Sequence, residues 1–213
     1  MKTEDLITLL ARQPDALPKT QPLRDTALAG IAGLIAAFLL MALVLGPRTD
    51  LAEAVASALF WQKIGALALL AVIAGVAAYR SGLPGRSLQS TERLRWAAPL
   101  WLAVATVVTV VSAPAGERLA LFHSPTILVC LTMVPLLSVL PAAAMLWALR
   151  RAAPTEPARA ARAVGWTAGA IGAFAYAFHC QADQPAYVLV WYGLALVATV
   201  TLTRATATRW LRW

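Results

Sequence analysis

Along the chain, long apolar runs alternate with short polar stretches punctuated by Gly, Pro and Arg. About 20 apolar residues in a helix cover the roughly 30 Å hydrocarbon core of a bilayer, and runs of that order occupy about residues 27–45, 60–79, 97–113, 126–149, 163–178 and 187–203. The pattern predicts an all-α protein, a bundle of six transmembrane helices. Pro99 falls in the first turn of the third run, where proline costs least, whereas Pro135 and Pro141 lie inside the fourth and predict a kink. Gly165, Gly169 and Gly172 give the fifth run a small-residue face for close helix contact. Between the first two runs, the spacing of Leu51, Ala54, Val55, Ala58 and Leu59 predicts an outer helix running on into the second span, with Lys63 near its mouth and free to snorkel outward.

Ahead of the first run, residues 1–24 are polar except for Leu6, Ile7, Leu9 and Leu10, which recur at helical spacing and put an apolar stripe on one face of a short helix. Thr3 can cap it, Glu4 and Asp5 suit the positive end of its dipole, and the pattern stops near Pro14. A helix of about ten residues is marginal alone in water. Its stripe needs a partner: another protein, the membrane surface or the rest of the chain. The chain thus divides into an N-terminal segment, residues 1–24, and a six-span membrane domain, residues 25–213.

Composition agrees with this reading. Hydrophobic residues make up 60% of the chain and charged residues 13%, against about 25% charged in soluble domains. The first run follows a polar leader and lacks a small-residue cleavage site, so it is expected to remain in the mature protein. The net charge of +8 raises nucleic acid as a partner until the charges are placed. Six spans put both tails and the loops after the second and fourth spans on one side, and 15 of the 18 basic residues lie there; only Arg48, Lys63 and Arg118 lie opposite. By the positive-inside rule both termini are cytoplasmic and the turn HCQAD is outside. Tryptophans near the span ends, such as Trp61, Trp191, Trp96, Trp147 and Trp166, agree with an interfacial belt. The basic balance reflects topology, and no direct contact with nucleic acid is expected.

Candidate chemistry is concentrated in one stretch, Phe174–Tyr192, FAYAFHCQADQPAYVLVWY. Cys180 ends the fifth span, and Cys130 lies about one turn inside the corresponding end of the fourth. Similar depth on sequential antiparallel helices allows a disulfide or a pair of thiols, while two isolated cysteines also serve as small buried hydrophobes. His179 is placed to cap carbonyls at the end of the fifth span or to bond Asp183. His123, His179, Cys130 and Cys180 are the only imidazole and thiol ligands in the chain, but their spacing matches no known metal pattern. The spans contain no acidic residue of the kind that marks a transport path. Neither a nucleophile with an attendant base nor a phosphate-binding loop is recognisable, so the sequence calls for no catalysis and no cofactor.

The opening MKTEDLI, the central VCLTMVPLLSVLPAAAMLWALRRAAPTEP, the AYAFHC and VWY elements and the closing Arg-Trp resemble the NrsF family, negative regulators of sigma-F. The resemblance runs through the whole chain, and HC, a short acidic turn and VWY are its most specific part. It implies a six-span inner-membrane anti-sigma factor that holds an extracytoplasmic-function sigma factor inactive at the cytoplasmic face. It also implies that Cys130 and Cys180 are the family's cysteine pair, associated with sensing oxidative or metal stress. The loop after Arg151 and the end of the sixth span depart from the family in their small residues, which bears on helix packing. On this reading Leu6, Ile7, Leu9 and Leu10 grip the sigma factor, while Cys130, Cys180, His179 and Asp183 form the sensing end. The competing expectation is a membrane thiol oxidoreductase, or a carrier of a small molecule or metal, using the same two cysteines.

Overall fold

A computed structural model describes residues 4, 5, 8, 21–83, 88–152 and 154–210. All regular structure among them is helical: α1 (Gln21–Val44), α2 (Leu51–Ala56), α3 (Ala58–Ser81), α4 (Gln89–Leu94), α5 (Ala97–Ser112), a 3₁₀ turn (Ala120–Phe122), α6 (Ile127–Leu137), α7 (Val139–Arg151), α8 (Pro157–Ala177), α9 (Pro185–Tyr187), a π turn (Val188–Tyr192) and α10 (Gly193–Trp210). Of the N-terminal helix, Glu4, Asp5 and Thr8 are helical and exposed, and the Thr8 hydroxyl donates to the Glu4 carbonyl at 2.8 Å. Leu6, Ile7, Leu9 and Leu10 lie outside the described residues.

Among the described residues five helical stretches are long and apolar enough to cross a membrane: Pro22–Val44, Ala58–Ser81, Gln89–Ser112, Ala120–Arg151 and Pro185–Ala207. The sequence pattern predicts six, and the difference is α8. At 21 residues α8 is long enough, but it is built largely from Ala and Gly and carries Arg159 and Arg162 in its first two turns. Its position accounts for that composition. α8 packs against α1, α3, α6, α7 and α10, and 15 of its 21 residues are buried. A helix enclosed by helices needs small side chains for close approach more than large ones for lipid.

The glycines show how close that approach is. A Cβ on Gly165 would stand 2.9 Å from Val200 Cα, and one on Gly169 2.9 Å from Leu196 Cδ2, so these two admit α10. Gly172 faces a different neighbour: its Cβ would lie 2.3 Å from Ser138 Oγ and 2.9 Å from the Val134 carbonyl oxygen. Ser138 is the joint between α6 and α7, where Pro135 and Pro141 each remove an N–H from the helical ladder. Its hydroxyl donates to the Val134 carbonyl at 2.6 Å. On the other side of the joint, a Cβ on Gly33 of α1 would come within 2.7 Å of Pro141 Cα. The expected kink is therefore clamped between α1 and α8.

The outer surface carries large apolar side chains, among them Leu39, Leu43, Val104, Val111 and Leu128. Such a belt suits lipid rather than water, and with the apolar helices it suggests a membrane protein. One local expectation is corrected. The outer helix does not run on into the second span, because Ser57 between α2 and α3 is extended (φ −89°, ψ 131°) and breaks it.

Candidate functional site

At the C-terminal end of α8 the chain turns through Phe178–Gln184 before Pro185 opens α9, a position where its missing N–H costs nothing. Facing it is the turn after α1. Gly46 adopts φ +74°, a left-handed conformation that a Cβ disfavours, and its N–H reaches back to the Met41 carbonyl at 3.0 Å. The two turns are joined through backbone: Arg48 N–H donates to the Phe178 carbonyl at 2.9 Å. His179 Nδ1 lies 2.9 Å from the Gly46 carbonyl oxygen, which can only accept, so the ring donates from Nδ1.

Between these turns lies an ion cluster. Arg48 grips Asp50 through two bonds, from Nε and Nη2, each 2.8 Å long. Its Nη1 donates to both Asp183 oxygens at 3.1 and 2.9 Å and to the Cys180 carbonyl at 3.2 Å. Lys63, in the second turn of α3, is also bonded to the Asp183 carboxylate and donates to the Cys180 carbonyl at 2.9 Å. Gln181 Nε2 completes the shell at 3.1 Å from Asp50. The cations are almost wholly enclosed, with side-chain exposures of 3% for Arg48 and 0% for Lys63. Two positive and two negative charges cancel, which is the condition for burying them. Hydrogen bonds from Arg48, ahead of any other cause, hold the Asp50 carboxyl well below the usual carboxylate range; the bonds to Asp50 likewise raise the Arg48 guanidinium against the cost of its burial. Phe60 floors the cluster, its ring 5.7 Å from the Arg48 guanidinium and 5.9 Å from Lys63 Nζ. That ring packs edge-on against Phe178, which also meets Phe38 and Phe174.

Beneath the Cys180 carbonyl is a second cluster. Cys180 and Cys130 are free thiols, both buried, and lie within electrostatic reach of one another and of Tyr176, Tyr187 and Tyr192. Thr126 Oγ1, at the entrance to α6, is 3.8 Å from Cys180 Sγ and 3.2 Å from the Tyr187 hydroxyl. The π turn explains how two tyrosines five residues apart reach one site. In an α-helix residues five apart diverge, whereas i→i+5 winding brings them back to one side, and the Tyr187 and Tyr192 rings meet at 6.3 Å.

The structure thus gathers Cys130 with Cys180, and places Asp183 beside them in the ion cluster. The His179 side chain bonds the Gly46 carbonyl and not Asp183, while its backbone N–H donates to the Tyr176 carbonyl at the end of its own helix at 2.9 Å. His123 is exposed and joins neither cluster. Among the described residues no three His, Cys, Asp or Glu side chains, His123, His179, Cys130 and Cys180 included, are grouped to hold a metal ion. Lys63 does not snorkel outward; two carbonyls and a carboxylate hold it inside. Arg48, Asp50, Lys63 and the three tyrosines are the residues that sequence reasoning misses. A signal for Lys63 exists: a lysine inside an apolar run is costly without an acid, and Asp183 is the acid.

Residues 10–213 match the family model described as NrsF, negative regulator of sigma F. The chain belongs to the NrsF family. It is 32% identical over 213 residues to the probable anti-sigma-F factor NrsF of Azospira oryzae, with both chains wholly covered. It is 34% identical over 221 residues to the anti-sigma-F factor NrsF of Caulobacter vibrioides, again with both wholly covered. No solved structure matches. NrsF-family membership supports a regulatory role, that of a negative regulator of a sigma factor.

Proposed function

We propose that this chain is an inner-membrane anti-sigma factor of six spans, with α8 as the central sixth, both termini cytoplasmic and the two clusters at the outer end. Full-length similarity to anti-sigma-F factors is the observation that carries this reading. Its partner is a sigma factor of the extracytoplasmic-function class, gripped by the stripe Leu6, Ile7, Leu9 and Leu10. The stripe and the Arg-rich loops share one side under the positive-inside rule. Cys130, Cys180, His179 and Asp183 are the sensing residues. Both sulfurs are enclosed, so adding any group to either must displace Thr126 or the tyrosines and shift α6 and α9 against α8. A signal acts across the membrane only through such a difference between two arrangements, and the clamped joint at Ser138 gives α6 and α7 a place to pivot. The thiol oxidoreductase or carrier reading is weaker, because such an enzyme needs accessible sulfur and a second redox pair, and the chain has two cysteines in all.

The test is co-purification with a co-expressed extracytoplasmic-function sigma factor. Stoichiometric retention is expected for the wild type. Burying a leucine-sized side chain contributes roughly 1.5–3 kcal/mol, so Leu9→Asp with Leu10→Asp should weaken retention at least tenfold while leaving membrane insertion intact. Full retention by the double variant would move the interface to residues 86–95 or to Arg150 and Arg151; no retention by the wild type would defeat the anti-sigma reading. Reporter fusions at Pro47, Gly116 and Gln184 should report outside, and at Gly85 and Pro157 inside. Reversal at any two would defeat the topology.

A further inference from the structure

The other end of α8, about 30 Å away along its 21 residues, presents charge in a different way. Where α3, α4 and the first turns of α8 meet, Arg95, Arg159 and Arg162 wall a narrow cleft of about 30 Å³ whose back is Ala74, Ala77 and Trp166. Arg159 and Arg162, one turn apart, also line an adjoining open cleft of about 410 Å³ with Arg204. The acids nearby offset this wall only in part, since four arginines line the two clefts together with two carboxylates, Glu92 in the narrow one and Glu156 in the open one. Glu92, the only carboxylate lining the narrow cleft among the described residues, meets Arg162 at 3.5 Å, and Glu156 meets Arg159 at 2.9 Å on the exposed surface. Arg95 stacks near the rings of Trp96 and Trp166, at 5.6 and 6.0 Å, and its Nε is buried without a hydrogen-bond partner among the described residues. The adjoining surface of α4 and α5 exposes Leu94, Trp96, Leu100 and Trp101, the mixture of tryptophan and aliphatic side chains that sits at a headgroup boundary.

We propose that these clefts bind a phosphate group, with Arg159 and Arg162 as its principal donors and Arg95 behind them, and that the phosphate belongs to the headgroup of an anionic phospholipid. The guanidinium fork matches phosphate oxygens two at a time. The narrow cleft has room for about one water-sized group, so one phosphate oxygen enters toward Arg95 while the rest of the headgroup occupies the wider cleft. The exposed leucine and tryptophan side chains lie where acyl chains would begin. A basic pocket between membrane helices at the Arg-rich side is the setting in which anionic headgroups bind. The assignment rests on the membrane reading above.

The full chain, extracted in mild detergent, is offered phosphatidylglycerol or phosphatidylcholine at equal concentration, or inorganic phosphate alone; retained lipid is counted by native mass spectrometry and unfolding is followed by temperature. A chain that stays in solution without detergent would defeat the membrane reading, whereas the outcomes that follow bear on the site. Preferential retention of phosphatidylglycerol is expected. An arginine at a membrane surface contributes roughly a fivefold preference for anionic lipid, so Arg159→Gln with Arg162→Gln should reduce that preference by about 25-fold. Lysine at both positions should keep part of it, and Glu92→Gln should strengthen it, which guards against reading a folding defect as lost binding. Stabilisation by inorganic phosphate that disappears in the double glutamine variant, with no lipid preference, would keep the phosphate site and assign it a soluble source. Equal retention of both lipids by wild type and variants, with no effect of phosphate, would overturn the proposal. So would variants that keep the lipid preference and lose a bound sigma factor, which would make the wall a protein interface.

Discussion

The two ends of α8 carry similar numbers of charges and use them in opposite ways. At its C-terminal end Arg48 and Lys63 are enclosed and matched by Asp50 and Asp183, with carbonyls taking up the remaining donors. At its N-terminal end Arg159 and Arg162 are 47% and 38% exposed, and their acid partners are themselves exposed. A buried charge must be matched where it stands or it destabilises the fold. An exposed one contributes little to the fold and is available to something else. The enclosed end is thus part of the architecture, tying the turn after α1, the start of α3 and the turn after α8 into one unit, while the open end is a surface for partners.

The comparison is broken most directly at Asp183. With asparagine there, Lys63 would keep only the Cys180 and Ala182 carbonyls, and Arg48 would fall back on Asp50. Removing one partner of a buried pair costs about 3–5 kcal/mol, so Asp183→Asn should lower the thermal midpoint in detergent by many degrees or prevent recovery of folded protein. Combining Asp183→Leu with Lys63→Met should restore much of the loss, since an apolar pair of similar volume often replaces a buried ion pair at little cost. A midpoint unchanged in Asp183→Asn would mean that water reaches Lys63, and that the two ends differ less than their burial indicates.

Much of the bundle was legible in the apolar runs, because lipid demands length and hydrophobicity that few other environments require. α3, α5 and the α6–α7 pair have ends close to those of the runs over 60–79, 97–113 and 126–149, whereas α1 begins well ahead of residue 27 and α10 begins and ends well beyond 187 and 203. α8 was legible for another reason: Gly165, Gly169 and Gly172 announce close packing even though the run is weakly apolar. The break at Ser57 left no mark in the spacing, since a single extended residue preserves the apolar order on both sides. At the site, Cys130 and Cys180 could be matched by depth, but Arg48 and Lys63 could not be paired with Asp183 without knowing which turns face each other. That pairing depends on Gly46 turning the chain back after α1, a conformation set by one residue. The π turn that aligns Tyr187 with Tyr192 was hidden because VWY reads equally well as ordinary α-helix.

Asp50 sharpens the comparison through pH. Its folded-state pKa is depressed, chiefly by the Arg48 hydrogen bonds, so its contribution is fully present above the unfolded carboxylate value of about 3.9 and is lost as pH falls through the lower folded value. Thermal midpoints of wild type and Asp50→Asn should therefore differ by a constant amount from pH 8 to pH 5 and converge below about pH 4. Arg48, raised by the same bonds, stays charged throughout and adds no step. A difference that changed between pH 7 and pH 5 would show that the Arg48–Asp50 bond is not what holds Asp50.

The smallest effect is expected at the open end. Glu156 precedes the first turn of α8 and pairs with Arg159 three residues on, both side chains about half exposed, and its carboxylate makes no capping bond. Exposed pairs of this kind contribute about 0–1 kcal/mol, and a carboxylate beside a helix N-terminus adds about 0.3–1 kcal/mol at low salt. Glu156→Gln should therefore shift the thermal midpoint only slightly, and 0.5 M salt should erase most of the shift because it screens an exposed pair and leaves a buried one nearly untouched. Asp183→Asn, measured in the same salt, should keep its full deficit. If the two variants instead responded to salt alike, the enclosed cluster would be open to ions, and the division between an architectural end and a binding end would not hold.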